Sequence, residues 1–566
     1  MQKKIIQIFL FLWFPYLVNS QSIVNTVHNL SAGSTGSIKA TTETEICIFC
    51  HTPHGSAPVG PLWNRDDPGL TYTLYNSSTI DALPGQPDGS SILCLSCHDG
   101  TIALGNIYSE IADISMLSGV TTMPVGKSNL SQLLNDDHPI SFVYNSSLVL
   151  TDGKLKDPAS ITLPVELENE KVQCTSCHDP HNNTYSKFLV TSSQYSALCL
   201  SCHERPNWIN SSHKNSDATW TTTNPWTHTD YTTVSENACE NCHRPHSAGS
   251  SELIMKYPVG EDNCLDCHNG NVALSTKNIE THLSKYSAHN VSDIAYEGIH
   301  DANEAALVSV QHVECADCHN PHAARQNTQI APNVKGANEG VKGIDQSGNP
   351  VDPISYEYEL CYRCHADSPN KPASATSRSI VQNNVRLEFD INNPSHHAVT
   401  GVGENNSVPS LISPLTVSSI IYCTDCHASD GSGPLPDDPP LGPHGSIYPT
   451  ILKYNYETTD GTPYLATNFE LCYTCHSEAS ILSDNTFGEH YVHIVVEATS
   501  CNVCHDPHGI SISQGNTTNN THLINFDISA VSLAAGQRIF VDEGINTGYC
   551  LLRCHTRGHS EAMSRY

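Results

Sequence analysis

Residues 174–181 read CTSCHDPH: two cysteines two residues apart, a histidine directly after the second, then Pro180 and His181. The same text recurs along the chain. Eleven C-x-x-C-H motifs begin at Cys47, Cys94, Cys174, Cys199, Cys239, Cys264, Cys315, Cys361, Cys423, Cys472 and Cys501, and a twelfth with one extra residue runs from Cys550 to Cys554 and His555. Together they use all 24 cysteines. C-x-x-C-H is the attachment signal of haem c: the thiols add to the two vinyl groups, and the adjacent imidazole ligates iron from below the ring. The second cysteines are Cys50, Cys97, Cys177, Cys202, Cys242, Cys267, Cys318, Cys364, Cys426, Cys475 and Cys504. The expected proximal ligands are His51, His98, His178, His203, His243, His268, His319, His365, His427, His476, His505 and His555. Structural zinc and a disulfide framework also use paired cysteines, but neither requires a histidine after every pair.

Working outward, a chain of 566 residues would ordinarily hold three or four domains. Its composition argues otherwise. Leu, Ile, Val and Phe number 124, about 22% of the chain, beside a formal charge of -31, which lies near the border of disorder. The window 201–250 holds only Ile209 and Val234 from that set. Such a chain does not build an all-polypeptide globule, and its acidity disfavours nucleic acid and anionic membrane surfaces. The expected fold is that of a multihaem cytochrome c: mostly irregular coil, short α-helices at the motifs, little β, and an elongated, haem-packed core.

Lys3 and Lys4 precede an apolar run from Ile5 to Val18, and Val18 and Ser20 suit the -3 and -1 positions of a signal-peptidase site. Residues 1–20 therefore read as a signal peptide, with the product exported to the periplasm or the cell exterior. Losing the two leader lysines leaves 25 basic residues against 58 acidic ones, a formal -33. No cysteine stands near the cut, and no later run of about 18 apolar residues is present to span a bilayer.

The motifs fall into six pairs, which divide the mature chain into di-haem units at 21–160, 161–222, 223–275, 276–380, 381–482 and 483–566. The first member of a pair runs into Pro-His, giving His54, His181, His246, His322 and His508; in the fifth pair an insertion displaces it to His444. His54 lies three residues after His51, too short a tether to round the porphyrin edge to the far face of the same iron. It and its equivalents are expected to ligate another iron. A second distal set lies upstream of each unit: His28, His138, His289, His397 and His493, each with an aliphatic residue two positions on, and His228 without one. His213, His282, His300, His312, His396, His490, His522 and His559 are reserves. Methionine ligation is disfavoured, because the mature chain offers only Met116, Met123, Met255 and Met563.

The stretches CIFCHTPHG from Cys47, GQPDGSSILCLSCHDGTIALGN from Gly85, YCTDCHASDGSG from Tyr422 and CLLRCHTRGH from Cys550 resemble the large multihaem c-type cytochromes with doubled motifs known from dissimilatory metal-reducing bacteria. The resemblance covers most of the mature chain, although 174–268 matches only in its motifs. It implies electron carriage in the periplasm or at the outer surface, a haem on the longer C-terminal motif, and, in some relatives, polymerisation.

The leading expectation is an electron carrier with twelve covalently attached haem c groups, all bis-His. Its partners would be redox donors and acceptors, including other cytochromes or extracellular metal oxide, and no catalytic residue is assigned. Two other classes compete. A multihaem reductase of nitrite, hydroxylamine or a sulfur oxyanion needs an open iron, and no C-x-x-C-K motif supports it. A homo-oligomer or filament subunit needs a ligand reaching in from a neighbouring chain, for which His28 is the candidate.

Overall fold

The computed structural model describes residues 23–291, 298–307, 312–369, 371–435, 437–483, 487–545, 547–554 and 557–560. The leader at 1–20 and His555 lie outside these described residues. The chain forms two compact bodies, one from 1–204 with 244–254, the other from 205–243 with 255–566. In both, coil and turns connect short helices and small sheets.

The motifs dictate most of the regular structure. Cysteines three residues apart project to one side only if the backbone closes a helical turn between them. Cys174–Cys177, Cys315–Cys318, Cys423–Cys426 and Cys501–Cys504 are such single turns. Each stops at once, because the next histidine is extended while its N–H still bonds the carbonyl of the first cysteine. The residue before the second cysteine caps the turn: Ser176 Oγ accepts from Gln173 N at 3.1 Å, and Asp317 and Asp425 accept from Glu314 N and Tyr422 N at 2.8 Å. Three second-member motifs end longer helices, α1 (Gly89–His98), α2 (Gly260–His268) and α3 (Glu357–His365).

The twelfth motif behaves differently. A sheet is built from β1 (Val531–Ser532), β2 (Ile539–Gly544), β3 (Thr547–Cys554) and β4 (Arg557–His559), with β3 pairing all three others antiparallel. Cys550 and Cys554 lie on β3, opposite Phe540 and Arg557. Four residues along a strand place both on one face, but about 13 Å apart, against roughly 5–6 Å for i, i+3 neighbours on a helix.

Apolar packing is fragmentary, as the composition requires. The first body holds clusters around Tyr72, Leu95 and Leu134 and around Phe142, Tyr144 and Val172. The second packs Ile344, Phe389 and Val399 with Tyr358 and Tyr362 of α3, Trp226 against Val234 and Val272, and Val503 against Phe526 and Phe540. Polar crosslinks supplement these patches. The fully buried Arg65 donates to the carbonyls of Ser96, Ala103, Leu104 and Asn106 at 2.8–3.1 Å, closing the loop after α1. Arg378 does the same for Asn502 and Asn525 at 2.6 and 2.9 Å.

Two glycines allow the Pro-His loops to lie flush against the strand before them. Gly445, after His444, pairs with Ala288, and a Cβ there would stand 1.9 Å from the carbonyl oxygen of His282. Gly509, after His508, pairs with His396, and a Cβ would stand 2.2 Å from the carbonyl oxygen of Glu388. These contacts fix His289 and His397, one residue further on, beside the Pro-His pairs.

Candidate haem sites

One spacing recurs among the histidines. Ten of the proximal rings face a second histidine ring at a centroid separation of 6.1–6.4 Å. A metal–nitrogen bond of about 2 Å on each side, plus about 1.1 Å from each nitrogen to its ring centre, gives about 6.2 Å. Two stacked rings with nothing between them would approach far more closely, as His28 and Phe188 do at 4.3 Å. The residues present therefore fit an iron held between paired imidazoles.

The partners obey a rule that shifts by one unit. His181 faces His51, His246 faces His178, His322 faces His243, His444 faces His319 and His508 faces His427. Each Pro-His ring thus meets the first motif of the preceding unit, not the second motif of its own. The second motifs face the upstream set: His28 with His98, His138 with His203, His213 with His268 and His289 with His365. For His476, whose Nδ1 lies 2.9 Å from Ser410 Oγ, His397 exerts the strongest charge effect.

The two distal histidines of one unit are tied together through backbone. His28 Nδ1 lies 3.4 Å from the Pro180 carbonyl, His213 Nδ1 lies 2.9 Å from that of Pro321, and His397 Nδ1 bonds that of Pro507. His289 bonds the Pro443 carbonyl. In the second unit the backbone N–H of His138 bonds the Pro245 carbonyl at 2.9 Å. Each of these prolines precedes the Pro-His imidazole that meets the neighbouring first motif. An Nδ1–H given to a carbonyl leaves Nε2 unprotonated and aimed at the metal. Proximal rings are oriented in the same way, by the carbonyls of Ser128, Lys187, Ala337, Thr450 and His522 for His98, His178, His319, His427 and His505.

Electrostatics favours the neutral, ligating form. Burial pushes His178, His268, His365, His427, His476 and His505 down to about 4. Burial acts likewise on His246 and His508, but Asp137 Oδ1 at 3.0 Å and Glu388 Oε2 at 2.9 Å from their Nδ1 atoms reverse the sign, so both are raised. A carboxylate at Nδ1 makes the ring a more basic ligand than a carbonyl does.

The cysteines order the sites in space. Within units, Cys50 neighbours Cys97, Cys177 neighbours Cys202, Cys242 neighbours Cys267, Cys318 neighbours Cys364, Cys426 neighbours Cys475, and Cys504 neighbours Cys550 and Cys554. Between units, the Cys94 thiol is in hydrogen-bonding contact with Cys174, Cys264 with Cys315, Cys361 with Cys423, and Cys472 with Cys501. Within each body the motifs therefore follow one another in space as in sequence.

The sequence expectation and the structure differ at particular positions. His54 is exposed and meets no other histidine ring among the described residues. His228 directs Nε2 to the carbonyl of Glu240 at 3.0 Å, and His213 stands opposite His268 in its place. His213 lacks the aliphatic residue two positions on that marks the other upstream histidines, so that pattern passes over it. In the last unit His490 faces His505. His493, three residues on, faces His559 at 6.1 Å.

Residues 168–207 and 232–273 match the family model described as the doubled CXXCH motif. No curated protein matches the chain. Among the described residues no helix is long and apolar enough to cross a membrane.

Proposed function

We propose, from the premise that doubled C-x-x-C-H motifs carry covalently bound haem c and mark a multihaem c-type cytochrome, that this chain relays electrons along consecutive bis-His haems. The observation that carries the reading is the recurrence of paired histidine rings at 6.1–6.4 Å. Haem iron, when bound, supplies a one-electron couple, and a second imidazole excludes substrate from its sixth position. The chain's own residues fix ring planes through Nδ1, and burial holds His178, His268, His365, His427, His476 and His505 in the neutral form. Within each body the cysteine contacts bring successive attachment sites together, as a relay requires.

On this reading the chain carries twelve haems in six dovetailed di-haem units, the twelfth requiring the end of β3 to close into a turn. Export by the N-terminal leader to the periplasm or cell surface accords with haem c chemistry. Donors and acceptors would be redox proteins, other cytochromes or metal oxide.

The test is low-temperature electron paramagnetic resonance of the oxidised holoprotein, with and without nitrite and hydroxylamine. Ring planes lie within 15° of parallel at His51, His243 and His319 but 71–81° apart at His98, His203 and His268. Two low-spin classes are expected, rhombic from the first set and strongly anisotropic from the second, neither changed by the additives. A substantial high-spin signal that shifts with either additive replaces the relay by the reductase reading.

The position of His54 favours a second role, assembly. An exposed imidazole on a Pro-His loop whose five counterparts all face a proximal ring suits a haem of another chain. With His28 facing His98, the inter-chain ligand passes from His28 to His54. Light scattering of the concentrated holoprotein is expected to show assemblies that His54→Ala reduces to monomers; a wild-type monomer at all concentrations removes the idea.

A further inference from the structure

Outside the haem sites, one cluster joins imidazoles and carboxylates in the interior of the fourth unit. His300, Glu304 and Asp317 offer ligand atoms that all lie within 4.8 Å of one another. His312 Nε2 stands 2.9 Å from Glu304 Oε1, and His300 Nδ1 stands 2.5 Å from Glu314 Oε2 and 3.9 Å from Asp317 Oδ1. His312, Glu314 and Asp317 are 93–94% buried.

Charge does not balance there. Three carboxylates, Glu304, Glu314 and Asp317, share one guanidinium, Arg363, which touches Glu304 and stands 2.9 Å from Asp317 Oδ1. Lys342 directs its ammonium instead to the carbonyls of Ala302 and Glu304 at 3.0 and 2.8 Å. Among the described residues, and with neutral imidazoles, the set would carry two uncompensated negative charges, a costly state for buried groups; burial disfavours a charged His300, but the neighbouring Glu314 and Asp317 outweigh it and raise its proton affinity. Asp317 Oδ1 is moreover sealed from solvent with no N–H directed at it, despite the nearness of Arg363.

We propose that His300, Glu304 and Asp317 bind one divalent first-row transition ion of borderline softness, for which zinc is the probe, with His312, which stands beside Glu304 but outside that group of three, closing on the ion as a fourth donor. Mixed imidazole and carboxylate donors suit such ions better than calcium or magnesium, which take oxygen. Two donors on a tetrahedral ion with bonds of about 2.0 Å lie about 3.3 Å apart, so the 2.9 Å between His312 and Glu304 opens by only a few tenths of an ångström. Glu304 also lines an open cleft of 310 Å³ with Asn303, Ala306 and Lys342, which gives the ion a way in from solvent. Glu314 accepts from His300 and orients that ring. Asp317 sits between Cys315 and Cys318, so the ion would clip His300 and Glu304 to a haem-binding turn. The site is independent of the electron-relay reading.

The experiment uses the holoprotein, stripped with a chelator and dialysed against zinc, with bound zinc and iron counted by elemental mass spectrometry. Wild type is expected to hold one more zinc equivalent than His300→Ala, His312→Ala or Glu304→Gln, each weakened at least tenfold at this site with unchanged haem iron. Equal zinc in wild type and in haem-replete variants overturns the proposal. Glu304→Gln, which keeps volume and polarity, decides the matter if an alanine variant loses haem.

Discussion

Replacing His181 by alanine is expected to open the sixth position of the haem at His51, two motifs upstream, and to leave the haem at His203 in its own unit six-coordinate. The expectation follows from His181 facing His51 at 6.1 Å while His138 faces His203 at 6.2 Å. One haem's worth of signal should pass from low to high spin, and added imidazole should restore it. A methionine scan assigns the site. His181→Met should produce the sulfur-to-iron charge-transfer band of His/Met ligation. Adding His51→Ala should abolish that band, and adding His203→Ala should leave it. The opposite pattern would reverse the dovetail and return each Pro-His to its own unit.

Arg65→Met is expected to destabilise the first body by about 3–5 kcal/mol, the range found when one partner of a buried charged network is removed. The guanidinium, fully buried, satisfies four carbonyls around the loop that follows α1. Methionine fills much of the volume but donates nothing, so those carbonyls lose their partners in a region with few apolar contacts to compensate. Denaturant unfolding of the holoprotein, followed through tyrosine and tryptophan emission, measures the change. A loss below about 1 kcal/mol, typical of an exposed ion pair, would mean that water replaces the arginine and that the carbonyls are not committed to it.

The attachment sites were legible because their chemistry is local. Two thiols, one turn and one imidazole lie within five residues, as at Cys174–His178, and the short apolar supply between 201 and 250 already required something other than side chains in the interior. The tether argument likewise led from the sequence to the expectation that a Pro-His ring serves another iron. Which iron was not legible. His181 is 130 residues from His51, and the choice between preceding, same and following unit depends on contacts such as the His28–Pro180 bond and the flush pairing of Gly445 with Ala288.

His213 and His490 show the same boundary from the other side. His213 carries no mark in its flanking residues, and His490 shares with His493 an aliphatic residue two positions on (Val492 and Val495), so the pattern misses the first and does not choose between the other two; yet His213 and His490 each stand at the ligand spacing opposite a proximal ring. The sequence by itself determined where paired thiols stand one turn apart, which imidazole follows each pair and that the polypeptide is poor in apolar side chains, because these are local features of the chain. Only the tertiary structure decided the dovetail by one unit, the spatial order of the sites and the solitary position of His54, because sixth ligands come from distant segments whose meeting is set by backbone pairing and burial.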